Sequence, residues 1–558
     1  MHHIFYNGNK FTEPSDIAKS FNEYYINIAP NLDENLPPSN INPLSFLRGD
    51  YPHSMAVPEI IPQDVICAIE SLKNKKCSVN EIPVSILKLY KKQFAIPLTI
   101  LFNNSINNGK FPQTFKHATV VPIHKKGSKY ELSNYRPISL LNTFSKIFEK
   151  LMKKFLVNYL ENKNILNQRQ FGFRNGLSTF DALKTFSEDI YSNLNKKHSV
   201  LSIYIDFTKA FDTVKHDILL QKLHYYGIRG NIHNWFKDYL SQRTQSTKFF
   251  NSISPSLPIQ YGVPQGSVLG PILFLLYIND IAHIFTNLKT VLFADDSTLY
   301  VTGEHPINLI HKANTDLQIF YTWCLSNRLT VNLNKTYFML FSNKPTALLP
   351  PLLLSQNNTI TRTNKHTLLG ITFDDTLTFK YHIENLTLKL SRLVSMLHQV
   401  KELMPKDILK TLYNAHVLPH LNYCTPIWCN TYPTHLLPLI RLQKKIIRII
   451  TNSDYFAHTQ PLFKETGTLK VFDINKLQIS VFMYKKIKSN THISLPHHTH
   501  FTRTHENLRI PVPNLTIFQH SLSFTGPKTW NSIPNNIKTL PTTRSFKKQF
   551  KKHTLLNY

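Results

Sequence analysis

The stretch "VLFADDSTLY", residues 291–300, sets two adjacent aspartates, Asp295 and Asp296, inside apolar sequence. Neighbouring carboxylates repel each other and resist leaving water, so such a pair needs a use. A second apolar run, "LSIYIDF" (201–207), also ends on an acid, Asp206. Three carboxylates at strand ends, drawn from two segments, can hold hard divalent cations. Mg²⁺ takes few protein carboxylates, keeps waters, and completes its shell with substrate phosphate oxygens. Two such ions roughly 3.5–4 Å apart stabilise the attacking and leaving oxygens of an in-line phosphoryl displacement. The plain alternative is a surface Asp-Asp turn, since Asp is a good turn residue.

The elements that must position these groups are readable nearby. "VLF" and "TLYV" flank the polar "ADDS" as two strands of a hairpin. "YGVPQGSVLGPILFLLYIND" opens with a Gly/Pro loop and leads into an apolar helix over 268–278, with Pro271 in its first turn. Gly262 and Gly266 let a base pair or phosphate approach the backbone, and Gln265 between them offers an amide donor and acceptor. An ordinary loop before a helix has the same composition. Further out, helical patterns cover Ile17–Ile28 and Gln63–Leu72, and strands begin at "HATVVPIHKKG". A helical stretch follows residue 375, its clearest amphipathic piece being Leu436–Ile450.

Length and charge set the wider frame. With 558 residues the chain has room for roughly three or four domains. Its 42% hydrophobic and 12% aromatic content can bury a sizeable core. Lys and Arg number 64 against 34 Asp and Glu, a net charge of +30. That excess attracts polyanions, nucleic acid first, because phosphates bind Lys and Arg with release of counterions. A membrane partner is not expected, because no apolar run reaches the ~20 residues of a spanning helix and "MHHIFYNGNKF" lacks the long apolar h-region of a secretory signal. Five cysteines cannot build a disulfide framework, so a reducing compartment fits. From Val481 onward twelve Lys/Arg stand against one acid, Glu506.

Eight segments in order, "VVPIHKKG", "SNYRPISLLNTFSKIFEK", "QFGFRNGLST", "YIDFTKAFDTVKH", "GVPQGSVLGP", "FADDSTLY", "LTVNLNKT" and "LLGITFDD", resemble the reverse transcriptase of non-LTR (LINE-type) retrotransposons, the jockey-like groups above all. The match spans roughly 115–375, with weaker similarity on both sides. The resemblance implies an α+β right-hand polymerase with fingers, palm and a helical thumb. It implies an N-terminal connector-like extension over 1–110, fingers and palm over 111–375, thumb over 376–460 and a basic region over 461–558.

Carried over residue by residue, the family pattern makes Asp206, Asp295 and Asp296 the catalytic and metal-binding carboxylates, with the Phe207 carbonyl as a further ligand. Two Mg²⁺ are the expected cofactors, Mn²⁺ an alternative. Phe211 falls at the steric gate that excludes a ribose 2′-OH. Gln265 and Gly266 would contact the incoming nucleotide and template base pair. Arg136, Lys125 and Lys126 would grip the triphosphate, and Lys335 would protonate the leaving pyrophosphate. "LLGITF" resembles the primer grip. Partners would be an RNA template, a DNA primer or target 3′-end, and dNTPs; the place of work would be the nucleus, after a cytoplasmic ribonucleoprotein stage. Other readings of the same residues are a salt-bridged loop arginine, a core phenylalanine and a solvated lysine. Lys444, Lys445 and Arg448 form either a solvated helix face or a phosphate-tracking one.

The sequence also departs from the pattern. The endonuclease of complete elements is expected to be missing here, and "CSVNEIP" (77–83) replaces the usual "GxDxIP". His416, His420, Cys424 and Cys429 are zinc-competent types, but "PHLNYC" is expected to pack as thumb core; "PHHTH" (496–500) is a similarly weak metal signal. The expected activity is RNA-templated DNA synthesis. The alternative is an idle or domesticated nucleic-acid-binding relic, and an RNA-dependent RNA polymerase is a rival within the enzyme class.

Overall fold

A computed structural model describes residues 3–6, 8–74, 82–344, 349–355, 358–489 and 507–558. "PHHTH" and most of "CSVNEIP" lie outside the described residues. The architecture is mixed helix and sheet, centred on a five-stranded sheet in the spatial order 361–362, 337–341, 199–205, 296–303, 289–293. Strand Ser199–Ile205 lies in the middle and is buried at every residue. That is why it reads as an unbroken apolar run rather than an alternation.

The sheet separates two cores, and the period of two along each strand sorts side chains between them. Leu201, Ile203, Ile205, Leu299, Val301, Phe338 and Leu340 face the first core. Val200, Tyr204, Tyr300, Met339 and Phe341 face the second. Helices Gly270–Tyr277, Pro306–Ser326 and Thr143–Asn162 fill the first core. The second is covered by helix Thr179–Asn195, the hairpin Lys365–Asp374 and helices Lys380–Val400 and Pro433–Thr451. A small C-terminal core gathers Tyr484, Trp530, Phe546 and Phe550.

A second sheet carries the basic hairpin, His117–His124 paired with Tyr135–Leu141, and continues through Arg243–Phe249. Helix Pro14–Glu34 contains the expected Ile17–Ile28 and packs on this sheet. Its buried Asn22 donates to the carbonyls of Gln245 and Pro255 and accepts from the Gln245 amide and the Thr247 hydroxyl. Asp33 at the same helix's end pairs with Arg328 and with Lys215 at 2.9 Å. Helix Pro62–Glu70 matches Gln63–Leu72 and joins the first core beside Lys91–Asn107. That second helix carries Pro97 internally, which masks it in the sequence.

One charge pair is buried under the central sheet. Lys222 and Asp280 are both 0% exposed, with Nζ 2.8 and 2.9 Å from the two carboxylate oxygens. Lys222 also donates to the Tyr277 carbonyl, and Trp323 Nε1 donates to Asp280 at 3.0 Å. Removing one partner strands the other charge without water, which typically costs about 3–5 kcal/mol. Asp280→Ala should therefore lower unfolding stability by about that much in denaturant melts. The double change Lys222→Met/Asp280→Leu should lose much less, because no charge is left uncompensated; equal losses would refute this account.

Candidate active site

The aspartates sit where strand register puts them. Lys289–Phe293 and Asp296–Gly303 form an antiparallel hairpin in which Asp296 pairs with Phe293, leaving a turn of Ala294 and Asp295 alone. On the other edge Ser297 pairs with Ile205. Asp296 and Asp206, one step further along their strands, therefore emerge at the same end of the sheet. Phe207 forms an isolated antiparallel bridge to Val331, closed by Asn332 N–H to the Asp206 carbonyl (2.8 Å) and Thr208 N–H to the Thr330 carbonyl (2.8 Å). In such a non-hydrogen-bonded pair Phe207's own carbonyl points away from Val331, toward the aspartate hairpin's side.

The tight turn costs backbone energy: Ala294 has φ 56°, in the left-handed region, worth roughly 1–2 kcal/mol for a residue with a Cβ. A segment outside the hairpin holds it there. Phe171 N–H donates to the Leu292 carbonyl, Leu292 N–H to Arg169, and buried Gln170 accepts from the amides of Ala294 (3.0 Å) and Gly172 (2.8 Å). Position 172 must be glycine, since a Cβ would lie 2.4 Å from the Ala294 nitrogen. "QFGF" is thus a clamp on the aspartate turn. Gln170 is a residue the sequence did not single out.

Cations surround the carboxylates. Lys335 Nζ lies 3.5 Å from Asp206 Oδ2, both side chains partly exposed, a pair of small energetic worth by itself. Lys125 and Arg136 sit on the facing basic hairpin, close enough to act electrostatically on Asp295 and Asp296. Partial burial pulls Lys125 below the usual lysine range, with help from Arg136, Lys335 and Lys126 and against the pull of Asp206. Lys209, unmarked in the sequence, belongs to the same group. Burial lowers it, with Asp212 opposing and Lys335 and Arg136 adding. Lys126 lies exposed at the end of its hairpin.

Loss of hydration raises Asp295 above the carboxylate range, and the Asp206 charge adds to it. Asp296 is pushed up to about 6, first by lost hydration and then by Asp295 and Asp206, although part of its surface meets solvent. The donor set is all hard oxygen, which suits Mg²⁺ or Mn²⁺. Among the described residues, however, no three His, Cys, Asp or Glu side chains converge closely enough to hold an ion. Asp206 takes Lys335 as its counter-charge.

Phe211 stacks on Phe274 (centroids 4.4 Å apart) and meets the edge of Phe173 at 6.4 Å. It is half-buried, fixed on one face by the first core. The glycine loop is locked from both sides. Gln265 Nε2 donates to Asp212 Oδ1 at 2.8 Å, and its carbonyl accepts from Ser139 N–H on the basic hairpin. Gly266, at φ 132°, approaches so closely that a Cβ would lie 2.4 Å from the Ser139 carbonyl oxygen. The Gln265 amide is therefore engaged within the protein, by an aspartate that sequence inspection passed over.

Away from this cluster, "LLGITF" forms the hairpin Lys365–Asp374 with Leu369 and Gly370 at its tip, where Tyr423 donates to the Leu369 carbonyl at 2.6 Å. Cys424 and Cys429 are buried and burial raises both thiols, Cys424 up to about 11. His416 points to solvent, and no zinc cluster forms among the described residues. No described helix is long and apolar enough to cross a membrane.

Residues 123–373, which contain this whole cluster, match the family model described as reverse transcriptase (RNA-dependent DNA polymerase). That segment is similar to this family. The relatives that the chain resembles are proteins of transposons and mobile elements. It is 29% identical over 76% of its length to the "Probable RNA-directed DNA polymerase from transposon X-element" of Drosophila melanogaster, covering 47% of that protein. It is 29% identical over 76% to the corresponding protein of transposon BS, covering 48%. Against the "RNA-directed DNA polymerase from mobile element jockey" the identity is 26% over 81%, covering 51%. The chain thus spans about half the length of these relatives.

The Asp212–Gln265 lock has a pH signature. Burial pushes Asp212 up to about 6, with Gln265 and Lys209 opposing. Between about pH 4 and 6 the folded state keeps a proton that the unfolded state releases, so stability falls as pH rises through that window. Asp212→Asn keeps an acceptor for Gln265 and removes the charge. Its melting temperature should exceed wild type at pH 7.5, with the difference vanishing near pH 4. A pH-independent difference in scanning fluorimetry would refute the assignment.

Proposed function

We propose that this chain is an RNA-directed DNA polymerase of a non-LTR retrotransposon, extending a DNA 3′-hydroxyl on an RNA template. The observation that carries the reading is the emergence of Asp206 and the Asp295–Asp296 turn at one end of the central sheet, with Lys125 and Arg136 acting on the turn and Lys335 paired to Asp206. The central sheet is the palm, the basic hairpin with its neighbouring sheet belongs to the fingers, and the helices after residue 376 are the thumb. Helix Pro14–Glu34 braces the fingers, and the described parts of 461–558 carry an excess of Lys and Arg.

In the reaction the primer 3′-oxygen bonds to the α-phosphorus of a dNTP, and the bond to the β-phosphate oxygen breaks, releasing pyrophosphate. Asp206, Asp295, Asp296 and the Phe207 carbonyl would hold two Mg²⁺, which supply charge stabilisation for the phosphate oxygens. Lys125 and Arg136 bind the triphosphate, the guanidinium through its forked donors. Lys335 is placed to hand a proton to the departing pyrophosphate. The Phe211 ring, held by Phe274, presents the edge against which a ribose 2′-hydroxyl would clash. The Gln265–Gly266 backbone, set by Asp212 and Ser139, forms the floor for the nascent base pair.

Primer extension on an RNA template with Mg²⁺ and dNTPs tests this. Wild type should extend, and Asp295→Asn should cut the rate on the order of a thousand-fold, since several kcal/mol of charge stabilisation convert at ~1.4 kcal/mol per tenfold. Folded wild type that incorporates no dNTP would leave only a nucleic-acid-binding relic. Phe211→Val should raise rNTP relative to dNTP incorporation by about tenfold or more; unchanged sugar selectivity would remove the gate.

A further inference from the structure

The loop after helix Pro433–Thr451 carries two aromatic rings that do nothing for the fold. Tyr455 is 69% exposed and Phe456 88% exposed. They meet each other edge to face, with centroids 5.1 Å apart and planes at 89°. The loop itself is built. Asn452 ends the helix in the left-handed conformation at φ 49°, Ala457 N–H donates to the Asp454 carbonyl, and Arg448 Nε donates to the Ala457 carbonyl at 3.0 Å. Phe456 is thus held out into solvent on a pinned turn.

A basic stripe leads up to the pair. Arg441, Lys444, Lys445 and Arg448 fall at helical spacing on one side of Pro433–Thr451, the first three exposed. That helix contains no acid. Among the described residues none of the four is in an ion pair. The nearest acid in sequence is Asp454, whose Oδ1 accepts from Tyr455 N–H. Cations that track a phosphate chain, ending in exposed aromatic faces, are the combination that binds single-stranded nucleic acid, because every unpaired base offers a face to stack. A duplex hides those faces.

We infer that Tyr455 and Phe456 form a stacking platform for unpaired RNA, with Arg441, Lys444 and Lys445 holding the adjoining phosphates. The choice of RNA rests on the RNA-templated activity proposed above; the platform itself rests on the exposed rings and the unpaired cations.

The test uses the full chain and fluorescence anisotropy with a mixed-sequence 20-nucleotide RNA, its duplex, and the DNA of the same sequence. Tyr455→Ala/Phe456→Ala alters only exposed rings, so the protein should melt as wild type does. Its affinity for single-stranded RNA should fall about tenfold or more, with duplex binding unchanged. Lys444→Gln/Lys445→Gln should reduce the slope of log affinity against log salt by ~1.4, about 0.7 per phosphate contact. Unchanged single-strand affinity, or an equal loss on the duplex, overturns the platform. A loss confined to DNA overturns the RNA assignment. A change in oligomeric state with RNA affinity intact would mean that the rings dock a second copy of the chain, and also overturns it. Wild-type primer extension on a short annealed substrate is measured beside these. Extension without a platform effect defeats this inference alone, whereas a platform effect without extension defeats the polymerase reading alone.

Discussion

The pairing of Ser297 with Ile205 governs the chemistry of this molecule. A strand slipped by one residue would turn every side chain to the opposite face, exchanging the two cores and separating Asp206 from the aspartate hairpin. Both faces of the central strand are buried, so the register is fixed twice over, once by each core. That double constraint is what allows three repelling carboxylates to be held at one sheet end. The packing energy of the strands resists the repulsion at their tips.

Around that fixed point the protein distributes the electrostatic burden. Asp206 leans on Lys335, and the basic hairpin brings Lys125 and Arg136 to face Asp295 and Asp296. The strain of the Ala294 turn is borne by Gln170 from outside the sheet. The Asp212–Gln265 bond joins the segment after the central strand to the glycine loop, and Ser139 joins that loop to the basic hairpin. Three stretches far apart in the chain are thereby locked into one frame.

Much of this was legible in the sequence. The aspartate hairpin and the central strand could be read from apolar runs ending in acids, and the amphipathic helix at 436–450 from its 3.6-residue period. What sequence could not show was long-range. Gln170 reaches an amide 124 positions away, and nothing in "NQRQFGF" announces a partner. Asp212 lies one residue past the aromatic that drew attention, and its environment is supplied by a loop 53 positions on. The N-terminal helix could be read from its period, but not its place: Ile17, Phe21, Tyr25 and Ile28 pack against Val120 and Tyr135 of the second sheet, and Asn22 adds a polar anchor. Its buried side chain is saturated by four hydrogen bonds, to Gln245, Thr247 and Pro255.

The division of the molecule into two cores by a single sheet has a consequence for truncation. A chain cut after Asp374 would keep every carboxylate and every basic side chain of the cluster, yet it would lose helices Lys380–Val400 and Pro433–Thr451 from one face. Tyr300, Met339 and Phe341 would keep the cover of helix Thr179–Asn195, while the Leu368, Ile371 and Phe373 hairpin would lose its apolar neighbours in those helices. The stretch that carries the carboxylates and the stretch that covers the far face of their sheet are therefore not the same. The helices beyond the motifs complete the apolar cover of the core on that face.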